Sequence, residues 1–266
     1  MSEDQSARLD DYFAEQYAGA EDPWGFTSRW YERRKYALTL AALPRARYRS
    51  AFEPGCSIGV LTAGLAERCD RLLSVDLVPQ AVARARARVP APHVRLAVGD
   101  LRDPWPDERF DLVVLSEVAY YLQEEEVERL AQRARAALTD DGHLVTVHWR
   151  HPVAEHRLSG DRADALLRHH LGLTLLAEYR DDDFVMTVQG RQPVSVARAE
   201  GLVADATQHP RPARTNPSGP DQQRHRVVVE HLPHRHDPLV LGPGEHVPPP
   251  TVERDRGVPP PVVAGA

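Results

Sequence analysis

Cysteine, lysine and long apolar runs are all scarce in this chain of 266 residues. The two cysteines, Cys56 and Cys69, are too few for a disulfide framework or a zinc site, and both are expected to be small buried thiols in a reducing cytosol. Lys35 is the single lysine; arginine supplies every other basic side chain, which with abundant Ala and Pro reads as a GC-rich genome. No basic stripe accompanies the net charge of -6, which argues against nucleic acid as a partner. No segment approaches the length of a membrane span, and Met1 to Asp10 is polar with no apolar core of a signal peptide. The expectation is therefore a cytoplasmic protein with no membrane partner. A hydrophobic share of 42% is slightly low, which predicts that part of the chain does not fold.

What is present is organised in three stretches. Residues up to about 46 read as helical, broken at Asp22-Pro23-Trp24-Gly25, with a second helix over 28–43 that Pro44 stops. From residue 49 strands and helices alternate. Strands are predicted at 51–52, 71–76, 94–98, 110–115 and 143–149, and helices at 60–68, 80–88 and 123–138, with a turn at Asp140-Asp141-Gly142. That rhythm predicts a mostly parallel sheet with helices on both faces. After a helix over 162–170, strands at 173–179 and 184–189 flank Asp181-Asp182-Asp183 and suggest an antiparallel hairpin on the sheet edge.

Beyond about residue 203 the core signal stops. Most of the prolines and nearly half of the histidines lie there. Too few apolar side chains remain to offset the entropy of ordering, so a disordered Pro/His-rich tail is expected over 201–266. His231, His234 and His236 have a metal-like spacing, but a floppy segment lacks preorganisation and no metal site is expected. The expected organisation is a helical lid over 1–46, an α/β domain over 47–200, and that tail.

The chemistry starts at Glu53-Pro54-Gly55-Cys56-Ser57-Ile58-Gly59. A short strand ends in an acid and turns through closely spaced glycines, which let a ligand approach the backbone. A dinucleotide turn would need Gly-x-Gly-x-x-Gly, and Ser57 and Val60 occupy its second and third glycine positions. This argues against a nicotinamide-dependent oxidoreductase. The pattern of Glu53, Gly55, Ser57 and Gly59 resembles motif I of class I S-adenosylmethionine-dependent methyltransferases. That resemblance implies a Rossmann-like fold with a seven-stranded, mostly parallel sheet, and S-adenosyl-L-methionine as cofactor. Asp76 ends the second strand about twenty residues past Gly55, where an acid accepts ribose hydroxyls; as a helix N-cap it would serve structure alone. The resemblance further implies that Asp100 receives the adenine amino group and the Leu101 amide reaches the ring. Trp24, Cys56, Leu77 and Ser116 complete the expected cofactor contacts.

Ligands in open α/β sheets sit outside the carboxyl ends of strands. Ser116-Glu117-Val118-Ala119-Tyr120-Tyr121-Leu122 and His148-Trp149-Arg150 should therefore face the transferred methyl group. Together with Asp22-Pro23-Trp24 and Ser28 to Tyr36, these elements resemble the nodulation protein S (NodS) group of methyltransferases over residues 10 to 190 or so. The resemblance implies N-methylation of a free amino sugar on a de-N-acetylated chitooligosaccharide, an oligosaccharide amine as substrate. The alternatives are a small-molecule O- or N-methyltransferase and an inert cofactor-binding module. Methyl transfer from a sulfonium needs alignment, exclusion of water and a neutral amine. Glu117 and His148 are the expected bases, and Tyr121 the expected hydrogen-bond or cation–π partner of the substrate.

Overall fold

The computed structural model describes residues 3–203, with side chains from residue 9 onward. The expected 201–266 tail, with its histidines, lies outside the described residues from 204 on. Two helices come first, α1 (Glu3–Gly19) and α2 (Trp30–Ala41), separated by turns around Pro23 and Gly25 as the sequence predicts. Strands β1 (Ala51–Pro54), β2 (Leu72–Asp76) and β3 (Val94–Val98) alternate with helices α3 (Val60–Ala66) and α4 (Pro79–Arg88). Then follow β4 (Phe110–Ser116), a 3-10 turn (Ala119–Tyr121), α5 (Glu124–Ala137), β5 (Leu138–Trp149) and α6 (Gly160–Leu171). Strands β6 (Thr174–Arg180) and β7 (Phe184–Gly190) and a short helix α7 (Val196–Ala199) close the described chain.

The seven strands form one sheet in the order β3-β2-β1-β4-β5-β7-β6. β1 to β5 pair in parallel, and β7 runs antiparallel between β5 and β6. This is the mostly parallel sheet with an antiparallel hairpin that the periodicity predicts. β4 shows why its apolar run is continuous: Val113 and Leu115 pack with Leu130 and Leu167 on one face, Leu112 and Val114 with Leu61 and Leu65 on the other. A strand covered on both faces has no side that could be polar.

One boundary differs from the expectation. Asp140-Asp141-Gly142 is not a turn but part of β5, at a register irregularity opposite Phe110 and Leu112. Arg45 and Arg49 hold the Asp141 carboxylate, so three residues typical of turns are retained within a strand. Asp111 serves the same region: it accepts from the Arg49 and Ser50 amides and fastens the segment entering β1.

The order of the strands places the site. Successive crossovers run from β1 outward to β3, then return to β4 and run the other way. The carboxyl ends of β1 and β4 therefore flank the crevice where the winding reverses, the place at which open α/β sheets bind ligands. Among the described residues no helix is long and apolar enough to cross a membrane.

Candidate active site

The turn after β1 is bent backwards three times. Gly55, Ser57 and Gly59 all have positive φ, at 84°, 52° and 80°. A methyl group on Gly55 would lie 2.3 Å from Val118 Cγ1, so only glycine fits there. Gly59 is different from what its motif position predicts. It is not among the residues lining the cavity, and a Cβ there would meet Ala85 of α4 at 3.0 Å, so its bareness lets the turn and α4 approach closely. The Gly55 and Cys56 amides donate to the Val75 carbonyl (2.7 and 2.9 Å), tying the turn to β2. Cys56 is buried, and burial pushes its thiol pKa well up. Both cysteines are free and buried, as expected.

Two acids organise this turn. Asp76 accepts from the Ser57 amide (2.8 Å) through one carboxylate oxygen and from the Val78 amide (3.0 Å) through the other. Asp76 is not the N-cap of α4, a place that Val78 takes without a side-chain cap; it ties the glycine turn to the residue before α4 and lines the cavity beside Leu77. Glu53 is buried under the turn, where Thr62 Oγ1 (2.7 Å) and Ser74 Oγ (2.8 Å) donate to its Oε2. Burial outweighs those two hydroxyls and pushes its pKa up to about 7.

At the end of β3, Asp100 accepts from the Arg102 amide (2.7 Å) and from Arg102 Nε (2.7 Å), and Arg102 also pairs with Asp10 of α1 at 2.5 Å. The chain before β1 closes over this half. The Tyr17 hydroxyl donates to Ser57 Oγ at 2.6 Å. Trp24 packs against Tyr17, Phe13 and Phe26.

The ends of β4 and β5 make the other half. Glu117 adopts a positive φ of 61°, uncommon for a residue with a side chain. Its Oε1 accepts from Lys35 Nζ (2.8 Å); its Oε2 accepts from the Tyr120 hydroxyl (2.6 Å) and the Trp149 amide (2.9 Å). Burial on its own would raise the Glu117 pKa, but the Lys35 charge and these donors overcome it and hold the carboxyl below its usual value. Lys35 Nζ also lies 3.0 Å from Glu32 Oε2. Glu32, with burial only partly offset by Lys35, keeps a raised pKa. The chain's one lysine is thus buried between two carboxylates, and its own pKa is raised by them against the effect of burial.

A cavity of about 380 Å³ joins the two halves. It is lined by Trp24, Glu53, Gly55, Cys56, Ser57, Asp76, Leu77, Asp100, Leu101, Ser116, Glu117 and Tyr121, all expected from the sequence. Its wall also holds Glu32, Lys35, Tyr31, Tyr36, Arg102, Trp149 and His156. Of these, Trp149 alone was expected to face the methyl group. Glu32 and Lys35 had a signal, a charged i, i+3 pair containing the only lysine; His156 had none.

His148 is the clear correction. It is fully buried, lies outside the cavity wall, and neither ring nitrogen has a partner among the described residues. Burial lowers its pKa to about 4. Its ring sits behind Tyr120, 6.0 Å between centroids. The strand-end position was read correctly, but successive side chains of a strand point to opposite faces, and it is Trp149 that reaches the cavity. Among the described residues no cluster of His, Cys, Asp or Glu could hold a metal ion.

The family model of nodulation protein S (NodS) matches residues 8–166, more than half of the chain. The chain belongs to the NodS family. Nodulation protein S of Rhizobium tropici is 37% identical over 129 residues, which are 47% of this chain and 54% of the relative. The protein of that name from Sinorhizobium fredii (strain NBRC 101917 / NGR234) is 36% identical over 129 residues, 47% of this chain and 60% of the relative. The match thus spans little more than half the length of these NodS proteins. Among solved structures, a putative methyltransferase from Pseudomonas syringae shares 45% identity at a TM-score of 0.55, covering 61% of this chain and all of the other. The N-methyltransferase NodS from Bradyrhizobium japonicum WM9, solved with S-adenosyl-L-homocysteine, shares 25% identity at a TM-score of 0.60, covering 68% of this chain and 97% of the other. The NodS-family chain therefore has the class I methyltransferase fold expected from motif I.

Proposed function

We propose that this protein is an S-adenosylmethionine-dependent N-methyltransferase acting on an amino sugar of an oligosaccharide. The observation that carries the reading is the continuous cavity that runs from the positive-φ glycine turn to the acidic, aromatic wall at Glu117. Family membership and the likeness to a NodS N-methyltransferase solved with S-adenosyl-L-homocysteine support it.

The residues present fit such a cofactor. Gly55 leaves a cradle that a Cβ would fill, and the Ser57 turn is held open by Asp76 and Tyr17. Asp76 has carboxylate lone pairs left for ribose hydroxyls after its two backbone bonds. Asp100 and the Leu101 amide stand at the end of β3, where the adenine would lie. Buried Glu53 sits beneath the turn, placed to balance the ammonium of the methionine end. When bound, the cofactor supplies a methyl group on a sulfonium, ready for in-line displacement. The protein's own share is alignment and exclusion of water, for which the aromatic layer of Phe13, Tyr17, Trp24 and Phe26 is suited. We assign α1 and the loop to α2 as the lid over the cofactor.

On the acceptor side, Glu117 is a holder of charge. Its three donors and lowered pKa make it a poor proton acceptor near neutrality and a good counterion for a cationic amine. Tyr121 and Trp149 offer faces on which a sugar ring can stack. The test is transfer of labelled methyl from S-adenosylmethionine to de-N-acetylated chitooligosaccharides by the full chain. Label on the de-N-acetylated acceptor and none on its fully acetylated counterpart supports the reading. S-adenosylhomocysteine binding without transfer to any amine identifies an inert binder, and transfer to hydroxyl acceptors an O-methyltransferase.

A further inference from the structure

With Glu117 committed to three donors and His148 sealed in the core, the acceptor amine needs another group to take its proton. The segment after β5 carries one. His156 is half-buried on the cavity wall. Its ring stacks on Tyr120 with centroids 3.8 Å apart and meets Tyr121 edge-on at 4.9 Å. The backbone fixes that pose. The Arg157 and Leu158 amides both donate to the Tyr120 carbonyl (2.8 and 3.1 Å), and the His156 amide to Val153 (3.2 Å). The imidazole is therefore pinned to the same 3-10 turn whose Tyr120 hydroxyl holds Glu117.

Resting on the amine-methyltransferase reading, we propose that His156 accepts the proton of the acceptor ammonium and so frees the lone pair that attacks the methyl group. The N–H bond electrons return to nitrogen and the proton goes to the imidazole. Nitrogen then forms the new C–N bond as the C–S bond breaks with its pair left on sulfur. The imidazolium returns its proton to water through the cavity mouth. Burial lowers the His156 pKa, against Glu117 and Glu155, so the ring is neutral and ready to accept at pH 7. The titratable and charged groups around it are Tyr120 and Tyr121 of the 3-10 turn, Glu117 at the end of β4, Glu155 in its own segment, and Tyr12 of α1 across the cavity.

The test uses the full chain and two variants, His156→Phe, which keeps a stacking ring, and His156→Gln, which keeps a polar tip. Both should bind S-adenosylhomocysteine as the parent does, measured by calorimetry. At pH 7 their turnover on a glucosamine oligomer should fall by about tenfold, because only about a tenth of an amine with a pKa of about 8 is neutral there without a base. The deficit should close above about pH 9, where an amino-sugar amine is already neutral in water. A second readout is free of turnover: adding the oligomer to the S-adenosylhomocysteine-bound parent should shift the ring resonances that His156→Phe removes from the NMR spectrum. Full activity of His156→Phe at pH 7, a deficit that persists unchanged at high pH, or unshifted resonances overturns the proposal while the methyltransferase reading stands. A parent that methylates no amine overturns that reading, and this proposal with it.

Discussion

The two halves of the cavity are built in opposite ways. The half at the ends of β1, β2 and β3 is mostly backbone: positive-φ turns, amides on carbonyls, and acids that grip amides. The half at the ends of β4 and β5 is mostly side chain: Lys35 reaches Glu117 across 82 residues of sequence, and Trp149 across 32. A backbone cradle tolerates changes that keep its turns and rejects any added Cβ where the chain is reversed. A side-chain cluster is held by charge balance, and fails when one partner is removed.

That contrast can be broken most forcefully at Lys35. Lys35→Met should cost about 3–5 kcal/mol of stability, because it leaves two buried carboxylates facing each other without their ammonium. Urea unfolding measures it, and a loss below about 1 kcal/mol would show the cluster to be better solvated than its burial implies. Next is Glu53. Its folded pKa of about 7 lies above the usual carboxyl value of 4.5, so the stability tied to its protonated form is complete below pH 4.5 and is lost as pH rises through 7. The loss above that window amounts to about 3 kcal/mol, and Glu53→Gln should remove this pH dependence from ligand-free unfolding curves. Unchanged curves would mean that Glu53 is not buried as an acid.

A smaller effect is expected at Gly55. Gly55→Ala should destabilise by about 1–3 kcal/mol through its positive φ and the Val118 contact, and lower S-adenosylhomocysteine affinity at least about tenfold in calorimetry. Equal affinity would show that the turn adapts. The smallest effect falls on His148. His148→Leu removes two buried nitrogens that lack partners, so thermal unfolding should be unchanged or gain about 1 kcal/mol, with methyl transfer intact. A large loss of turnover without a loss of stability would return His148 to the site.

The same contrast separates what is local in the sequence from what is not. The half at the glycine turn was legible because each piece is local: Glu53, Gly55, Cys56 and Ser57, then Asp76-Leu77 and Asp100-Leu101, lie in short runs at predicted strand ends, and all of these residues line the cavity. Gly59 lies in the predicted turn but is not among the residues lining the cavity, and the close neighbour its missing Cβ spares, Ala85, belongs to α4. At the ends of β4 and β5, Ser116, Glu117, Tyr121 and Trp149 were legible as strand-end residues, and they line the cavity. His148 was assigned to the same rim, one position from the residue that reaches it.

The periodicity of apolar residues and the glycine turn were enough to predict a mostly parallel sheet, its hairpin and the strand ends that line the cavity, because those follow from spacing along the chain. The partnership of Lys35 with Glu32 and Glu117, the sealing of His148 and the placing of His156 on the cavity wall were decided only by folding. Each depends on which distant side chains share a desolvated volume, and charge state and access are properties of that volume.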